Sequence, residues 1–296
     1  LTARVTVNRF WQQVFGIGLV KTAEDFGTQG EYPEQLELMN WLAADFRDHG
    51  WDVKRLMKQL VMSHTYRQSS KVPPELLERD PENRLLGRAP RYRMPFWMIR
   101  DQALAASGLM VTDAGGPSVK GYQPEGIWEE ATFGNKKYTQ DTGAALYRRS
   151  LYTFWRRIVA PTMFFDSATR QTCNVKVSRT NTPLQALLTQ NDTTYVEAAR
   201  HLTEGLLLDS NLTDSDRIHV MYQRVLSRDP SAQEESLLTA MLERSRLAFQ
   251  ESPEAAAELL AMGASPRNDS VDAIQHASWT NVCLAVFNLD ETLTRE

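Results

Sequence analysis

The chain has 296 residues, a formal net charge of -4 and a hydrophobic fraction of 42%. This length allows one large domain or two ordinary ones, and the composition is that of a globular protein with a sizeable core. The small net charge argues against nucleic acid or a membrane surface as a partner of the whole chain, and no apolar run approaches the length of a membrane span.

The first part of the chain, residues 1–110, is predicted to consist of amphipathic helices. The first helix carries apolar residues at helical spacing and ends at Gly16. A second is expected over residues 33–50, and Asp52 is a suitable N-cap for a third. A fourth is expected over about residues 95–109. Because the chain begins at Leu1 with residues that already favour a helix, we expect it to be a piece of a longer protein.

The second part, residues 111–182, has a different composition. Six glycines and two prolines interrupt residues 111–145, while aromatic side chains argue against disorder. We therefore expect an ordered, irregular layer with a small β element. Residues 147–157 are rich in arginine and aromatic side chains and suit either a helix or a strand, of which we favour the helix.

The third part, residues 183–296, is again predicted to be helical. Pro183 after Thr182 favours a helix start, and Asp192 is a suitable N-cap for the next helix. Further helices are expected over residues 217–226, 231–249 and 271–289, and the second of these begins with a capping-box pattern. The predicted fold is one mainly α, multi-helical domain around an irregular centre rich in glycine and arginine.

A cluster of positive charge is the clearest chemical signal. Residues 143–182 contain seven basic residues and one acidic residue, a net +6 in an acidic chain. Arginines beside aromatic rings suit anion or partner binding through bidentate hydrogen bonds and stacking. The alternative is internal pairing, since residues 204–272 contain thirteen acids against six arginines. The candidate residues are Arg148, Arg149, Arg156, Arg157, Arg170 and Arg179.

A second set of polar residues is a candidate for a polar pocket. Its three aspartates suit acid and base catalysis, although each also suits an ion pair, a cap or a turn. These candidates are Asp25, Arg100, Asp101, Tyr122, Asp166, Asn181 and Gln185.

The cysteines and histidines do not form a recognisable metal or redox motif. Cys173 and Cys283 are far apart in sequence, so a disulfide and two unpaired thiols both stay open. Glu197 and His201, four residues apart, suit either a shared metal or an intrahelical polar pair, and we favour the pair. No metal site is predicted.

Several phrases in order carry a resemblance to a known family. They include LTARVTVNRFW at the start, DFGTQG over residues 25–30, SHTYRQSS over residues 63–70 and GGPSV over residues 115–119; RRSLY, RTNTPLQA and QND follow within residues 148–192. The chain resembles the planctomycete-specific domain of unknown function at the C-terminal end of planctomycete cytochrome c domain-containing proteins. The resemblance spans nearly the whole chain.

The resemblance implies an architecture and assigns no reaction. Such proteins carry a haem c module on a separate domain and are exported, which implies a periplasmic or cell-surface location. No Cys-x-x-Cys-His occurs in this chain, so we expect no cofactor here. The leading hypothesis is an accessory or interaction domain that contacts other domains of the same parent chain. The alternative is an enzyme or binding module for an anionic extracellular polysaccharide.

Overall fold

The computed structural model describes residues 1–156, 175 and 179–295. Within these residues the protein is mainly helical, as predicted, and has one two-stranded antiparallel sheet. None of the described helices is both long and apolar enough to cross a membrane. The described residues form two compact units: the first contains residues 1–93, 175 and 294–295, and the second contains residues 94–156 and 179–293.

The first unit contains four helices and the sheet. Asp52 caps the third helix, as predicted, by accepting a hydrogen bond of 3.0 Å from Arg55 N. The second helix begins three residues later than predicted, because Glu34 and Gln35 form a turn before it. The fourth helix is short and was not expected. The helices are α1 (Thr2–Phe15), α2 (Leu36–Asp48), α3 (Val53–Val61) and α4 (Pro74–Arg79).

The core of the first unit lies where α1, α2 and α3 meet. Polar side chains secure the loops around it: the Asn8 amide exchanges two hydrogen bonds of 2.9 Å with the backbone of Val20, and the Arg84 guanidinium donates to Gly18 O and Leu19 O. Strand β1 (Tyr92–Arg93) pairs antiparallel with β2 (Thr294–Arg295). The buried apolar residues are Val7, Trp11, Val14, Phe15, Leu19, Val20, Met39, Leu42, Phe46, Leu56 and Leu60.

The second unit contains the remaining helices. Asp192 caps α8, and Ser231 with Glu234 forms the predicted capping box of α10. Helix α11 was not expected. The helices are α5 (Phe96–Ser107), α6 (Ile127–Ala131), α7 (Pro183–Asn191), α8 (Thr193–Leu208), α9 (Asp214–Leu226), α10 (Ala232–Glu251), α11 (Pro253–Leu260), α12 (Ala273–Phe287) and α13 (Asp290–Leu293).

Helices α8 and α12 form the centre of the second unit and pack against α5, α9 and α10. Trp279 and Cys283 of α12 are fully buried in this core. Cys283 is a free thiol, and its burial raises the pKa well above the usual range. Cys173, the other cysteine, lies outside the described residues.

The irregular centre differs from the prediction in two respects. It contains the short helix α6 (Ile127–Ala131), which was not expected. Residues 143–156 form two 3₁₀ turns (Gly143–Tyr147 and Ser150–Tyr152) where we expected a helix over residues 147–157. The helix prediction is wrong because carbonyls of this segment bond to other parts of the chain. Tyr147 O accepts from Val111 N at 2.9 Å, and Tyr152 O accepts from Val119 N at 2.7 Å. These contacts form two isolated β-bridges, the only β pairing within the described centre.

Candidate functional site

A pocket of about 360 Å³ lies in the irregular centre of the second unit. Three aromatic and four basic side chains surround it, and none of the described residues in its lining is acidic. We call it the basic aromatic pocket. Its lining residues are Lys120, Trp128, Lys136, Lys137, Tyr138, Phe154 and Arg156.

The aromatic part of the pocket is built on the short helix α6. Trp128 of this helix is buried (5% exposed), and its indole N–H donates to Gln123 Oε1. The Tyr138 ring stacks on Trp128 with centroids 5.3 Å apart, and the Phe154 ring stacks on Trp128 at 5.9 Å. Stacked rings of this kind offer a flat apolar surface whose orientation is set before any ligand binds.

The basic part of the pocket comes from three chain segments. Arg156 lies over the Trp128 ring, 5.7 Å from its centroid, and Lys120 Nζ lies 5.7 Å from the Phe154 centroid. Lys136 and Lys137 are exposed. None of the four forms an ion pair with a carboxylate of the described residues.

Arg156 also has an unsatisfied hydrogen-bond donor. Its Nη1 atom is buried and has no hydrogen-bond partner within the described chain. A buried donor of a charged group costs free energy unless a partner satisfies it. The pocket therefore combines a fixed aromatic surface with positive charge that is available to an anion.

Hydrogen bonds between distant segments hold the pocket walls together. Phe154 N donates to Val119 O at 2.7 Å, and the Tyr138 hydroxyl donates to Gly121 O at 2.8 Å. Asp141 accepts from Lys120 N at 2.7 Å through its carboxylate. The pocket is thus built by tertiary contacts rather than by one continuous motif.

Arg148, a predicted anion-binding residue, is used inside the fold. Its guanidinium donates to the carbonyls of Asp113, Gly115 and Pro117, and lies 3.8 Å from the centroid of the Tyr152 ring. Arg148 therefore closes the glycine-rich loop. Both of its Nη atoms donate to the backbone, while its buried Nε has no hydrogen-bond partner among the described residues. This outcome corresponds to the alternative of internal pairing, although the partners are carbonyls rather than acids.

The other predicted arginines have different surroundings. Arg149 is half-buried with its guanidinium carbon 5.9 Å from the Tyr152 centroid, and Arg179 is half-buried in the segment before α7. Arg156 is the one predicted arginine in the lining of the pocket. Arg157 and Arg170 lie outside the described residues, as does Asp166 of the second candidate set.

Arg100 and Asp101 of that second set meet the irregular centre from helix α5. Arg100 is 3% exposed and donates to Arg148 O at 2.9 Å and to Leu146 O at 2.8 Å, and burial lowers its pKa. Asp101 accepts from both the amide and the hydroxyl of Ser150. These two residues hold the 3₁₀ turns in place, and neither lines the basic aromatic pocket.

Tyr122 belongs to a separate buried group around Glu197. The Glu197 side chain is 1% exposed and accepts hydrogen bonds from the Tyr122 hydroxyl at 2.8 Å, the Tyr147 hydroxyl at 2.9 Å and Ser265 N at 2.6 Å. We call these four residues the enclosed network. Burial and the adjacent carboxylate raise the pKa of Tyr122 well above its usual range and raise that of Tyr147 to about 12.

The structure does not show the predicted polar pair of Glu197 with His201. His201 Nδ1 lies 2.9 Å from Ser107 O, while Glu197 is occupied by the two tyrosines and Ser265. Across the described residues, no group of three or more histidine, cysteine or acidic side chains is arranged to hold a metal ion.

The remaining candidates occupy local structural positions. Asp25, in the first unit, accepts from Gly27 N at 2.7 Å in a tight turn. Gln185 is buried and completes the capping box of α7 with Thr182. Asn181 is exposed in the loop before that helix. Asp25 and Asp101 therefore lie in different units, and each already has a backbone partner.

The sequence analysis missed the lysines of the basic aromatic pocket. The predicted cluster of positive charge covers residues 143–182, and it does not include Lys120, Lys136 or Lys137. A signal was present, because Lys136 and Lys137 directly precede Tyr138, and Lys120 precedes Tyr122 by two positions. Spacing alone did not show that Phe154 and Arg156 would meet them.

A second pocket, of about 380 Å³, lies beside α10 and α12. Its single basic side chain is Arg244, which donates to Ala240 O of its own helix at 3.3 Å. Its other polar side chains, Ser245 and Asn281, are joined by a hydrogen bond of 2.9 Å, so the polar groups of this pocket already have partners within the protein.

Residues 1–242 match the PSD1 family of proteins of unknown function (DUF1553). The chain belongs to this family. No curated protein and no solved structure matches this chain. Family membership agrees with the coarser part of the predicted resemblance, a domain of unknown function, and it assigns no reaction.

Proposed function

We propose that this member of the PSD1 family is a non-catalytic binding module for an anionic saccharide, and that the ligand binds in the basic aromatic pocket. The observation that carries the proposal is the composition of that pocket. Four cationic side chains without carboxylate partners in the described chain surround three stacked aromatic rings in one pocket of about 360 Å³.

The two parts of the pocket match the two parts of such a ligand. Trp128 is buried and stacked on Tyr138 and Phe154, so it supports these two half-buried rings from below. The accessible parts of the two rings suit the apolar face of a sugar ring, and the lysines and Arg156 suit sulfate or carboxylate groups on its edge. Arg156 contributes planar donors, whereas lysines contribute mobile point charges. A pocket of this volume is at the lower end of the range for small-molecule sites and fits a short ligand segment.

The same lining favours binding over hydrolysis. Glycoside hydrolysis ordinarily requires two carboxyl groups that flank the scissile bond. Among the described residues, the lining contains neither an aspartate nor a glutamate. Among the predicted acid and base residues, Asp25 and Asp101 hold backbone amides of their own surroundings.

We extend the proposal to the setting that the resemblance implies. A saccharide-binding module would act as an accessory domain of an exported protein, with the haem c module and other domains of the same parent chain as its partners. An extracytoplasmic location would bring it into contact with acidic or sulfated polysaccharides. This setting stays a prediction of the resemblance.

Titration calorimetry with short sulfated dextran, polygalacturonate and neutral dextran tests the proposal. We expect binding to at least one anionic polymer, weakening as salt rises, and none to neutral dextran. The variant K136Q/K137Q should reduce the affinity by about tenfold, as expected for loss of about 1.4 kcal/mol of binding free energy.

The matched control is K54Q/K58Q on helix α3, which removes the same charge from two exposed lysines of the first unit. Equal losses in the two double variants would mean that only net charge attracts the polymer, and the pocket would no longer be the site. Absence of binding by the unaltered protein would overturn the proposal as a whole.

A further inference from the structure

Phe133 is the most exposed large hydrophobic side chain of the described residues. Its side chain is 94% exposed, and its backbone has a positive φ of 50°. A bulky residue rarely adopts this conformation, and residues held in it are concentrated at functional positions. Phe133 lies between α6, which carries Trp128, and the lysines of the basic aromatic pocket.

The turn that carries Phe133 is fixed to α6 by hydrogen bonds. The Thr132 hydroxyl donates to Trp128 O at 2.6 Å and accepts from Lys136 N at 3.1 Å. Gly134 N donates to Glu129 O at 2.8 Å. The backbone of Phe133 therefore has a set position relative to both Trp128 and Lys136.

This position lies within reach of the pocket. Phe133 and Lys136 are three positions apart in sequence, so their Cα atoms are at most about 10 Å apart. Lys136 itself lines the pocket. A ligand that is longer than the pocket and extends past Lys136 would therefore approach the turn that carries Phe133.

We propose that Phe133 is a second contact surface of the site and that the ligand is a polymer: one unit of the anionic chain lies in the basic aromatic pocket, and a neighbouring unit packs on Phe133. This inference rests on the proposed function and deepens it, because it assigns Phe133 the role of selecting chains over single units. Because hydrogen bonds already fix the backbone of the turn, only the side-chain torsions of Phe133 need to be ordered on binding, which suits that role.

An anionic membrane is the competing occupant for an exposed phenylalanine beside lysines. The residues around Phe133 argue against it, because Thr132, Gly134 and Asn135 are small or polar and add no apolar surface to the tip of the turn. Stable attachment to a bilayer requires a larger apolar face or a second anchoring signal. The nearby pocket, with its stacked rings, fits a ligand that contains rings.

The test measures the affinities of a sulfated disaccharide and a sulfated hexasaccharide of the same repeat by calorimetry. We expect F133A to weaken hexasaccharide binding by about tenfold and to leave disaccharide binding unchanged. The matched control is L237A, which removes an exposed leucine of α10 (61% exposed) that lies in neither the pocket nor the turn. It should change neither affinity.

The outcomes separate this inference from the proposed function. The role of Phe133 would be overturned if F133A left hexasaccharide binding unchanged, or if it weakened disaccharide and hexasaccharide binding equally. The basic aromatic pocket would still be the binding site in either case if K136Q/K137Q weakened the binding of both oligosaccharides. Binding of the unaltered protein to phosphatidylserine vesicles that is lost in F133A, with oligosaccharide binding unchanged, would assign Phe133 to a membrane and also overturn the inference. If the unaltered protein binds neither the oligosaccharides nor any of the anionic polymers, both proposals fail.

Discussion

Two groups of charged and aromatic side chains in the second unit differ in whether their charged members have partners within the protein. In the enclosed network, every hydrogen bond that the buried Glu197 carboxylate accepts comes from a named protein donor. In the basic aromatic pocket, four cations line the same space as three aromatic rings, with no carboxylate among the described lining residues. A charged group whose partners are internal contributes to stability, whereas one whose partners are absent is available for a ligand. The comparison therefore predicts that the two groups respond differently to mutation.

The largest effect is expected for E197A. The substitution leaves the hydroxyls of Tyr122 and Tyr147 and the amide of Ser265 without their acceptor in a buried site. It also removes the acidic partner of the buried Arg200, whose guanidinium lies 3.9 Å from the Glu197 carboxylate. Removing one partner of a buried ion pair costs about 3 to 5 kcal/mol of unfolding free energy. Urea denaturation of E197A and of the exposed control E258A on α11 measures it. If E197A lost as little unfolding free energy as the control, the enclosed network would not differ from the basic aromatic pocket in its contribution to stability.

A smaller loss is expected for G263A, which tests the packing around the same carboxylate. Gly263 has a φ of +94°, and a Cβ there would lie 2.5 Å from the Glu197 side chain. Gly108, with a φ of +82° and open space around it, provides a control for the backbone strain alone. We expect G263A to cost about 3 kcal/mol and G108A about 1 kcal/mol by thermal or urea unfolding. Equal costs would show that the region around Glu197 rearranges freely.

A pH-dependent effect is expected at Asp192, the N-cap of α8. Burial raises the pKa of Asp192 above 3.8, so the folded protein holds this proton more tightly than the unfolded chain. Stability is therefore lost as pH rises from 3.8 through the raised pKa, and the loss persists at neutral pH. D192N keeps a capping oxygen and removes the charge. We expect it to be more stable than the unaltered protein at pH 7, with the difference vanishing below pH 3.8.

The comparison for D192N is D52N, the same replacement at the exposed N-cap of α3. Urea unfolding of both variants between pH 3 and pH 7 measures the difference. A D192N variant that is less stable than the unaltered protein at pH 7 would show that the charge itself supports the helix.

The smallest effect on stability is expected for K136Q/K137Q. Both lysines are exposed and lie beside other cations, so their removal breaks no ion pair of the described chain and reduces repulsion between like charges. Thermal unfolding should show the same midpoint as the unaltered protein within error, while polyanion affinity falls. A marked loss of stability in this variant would show that these lysines have partners within the protein and support the fold.

The predicted parts of the fold that hold are those with local causes. Asp52 and Asp192 cap their helices, and Ser231 with Glu234 forms a capping box, because each interaction joins residues within three positions of one another. Helical spacing of apolar residues likewise identified most of the long helices. The helix predicted over residues 147–157 was wrong, because carbonyls of this segment accept hydrogen bonds from Val111 and Val119, more than thirty positions away in each case.

The residues of the candidate site likewise include some that the sequence identified and others that depend on distant contacts. The sequence showed a cluster of arginines among aromatic residues, and Arg156 of that cluster does line the pocket. It did not show that Arg148 would be used to close the loop at Gly115, or that Glu197 would bind two tyrosines instead of pairing with His201. Those outcomes depend on partners brought together from distant segments.

By itself, the sequence determined that the protein is mainly helical, where many of its helices begin, and that its centre is irregular and basic, because composition, capping and periodicity act over a few residues. Only the tertiary structure decided which charged groups are satisfied and which are open. That distinction depends on the donors and acceptors that folding brings within about 3 Å of each group, and such distances are not encoded in any local pattern.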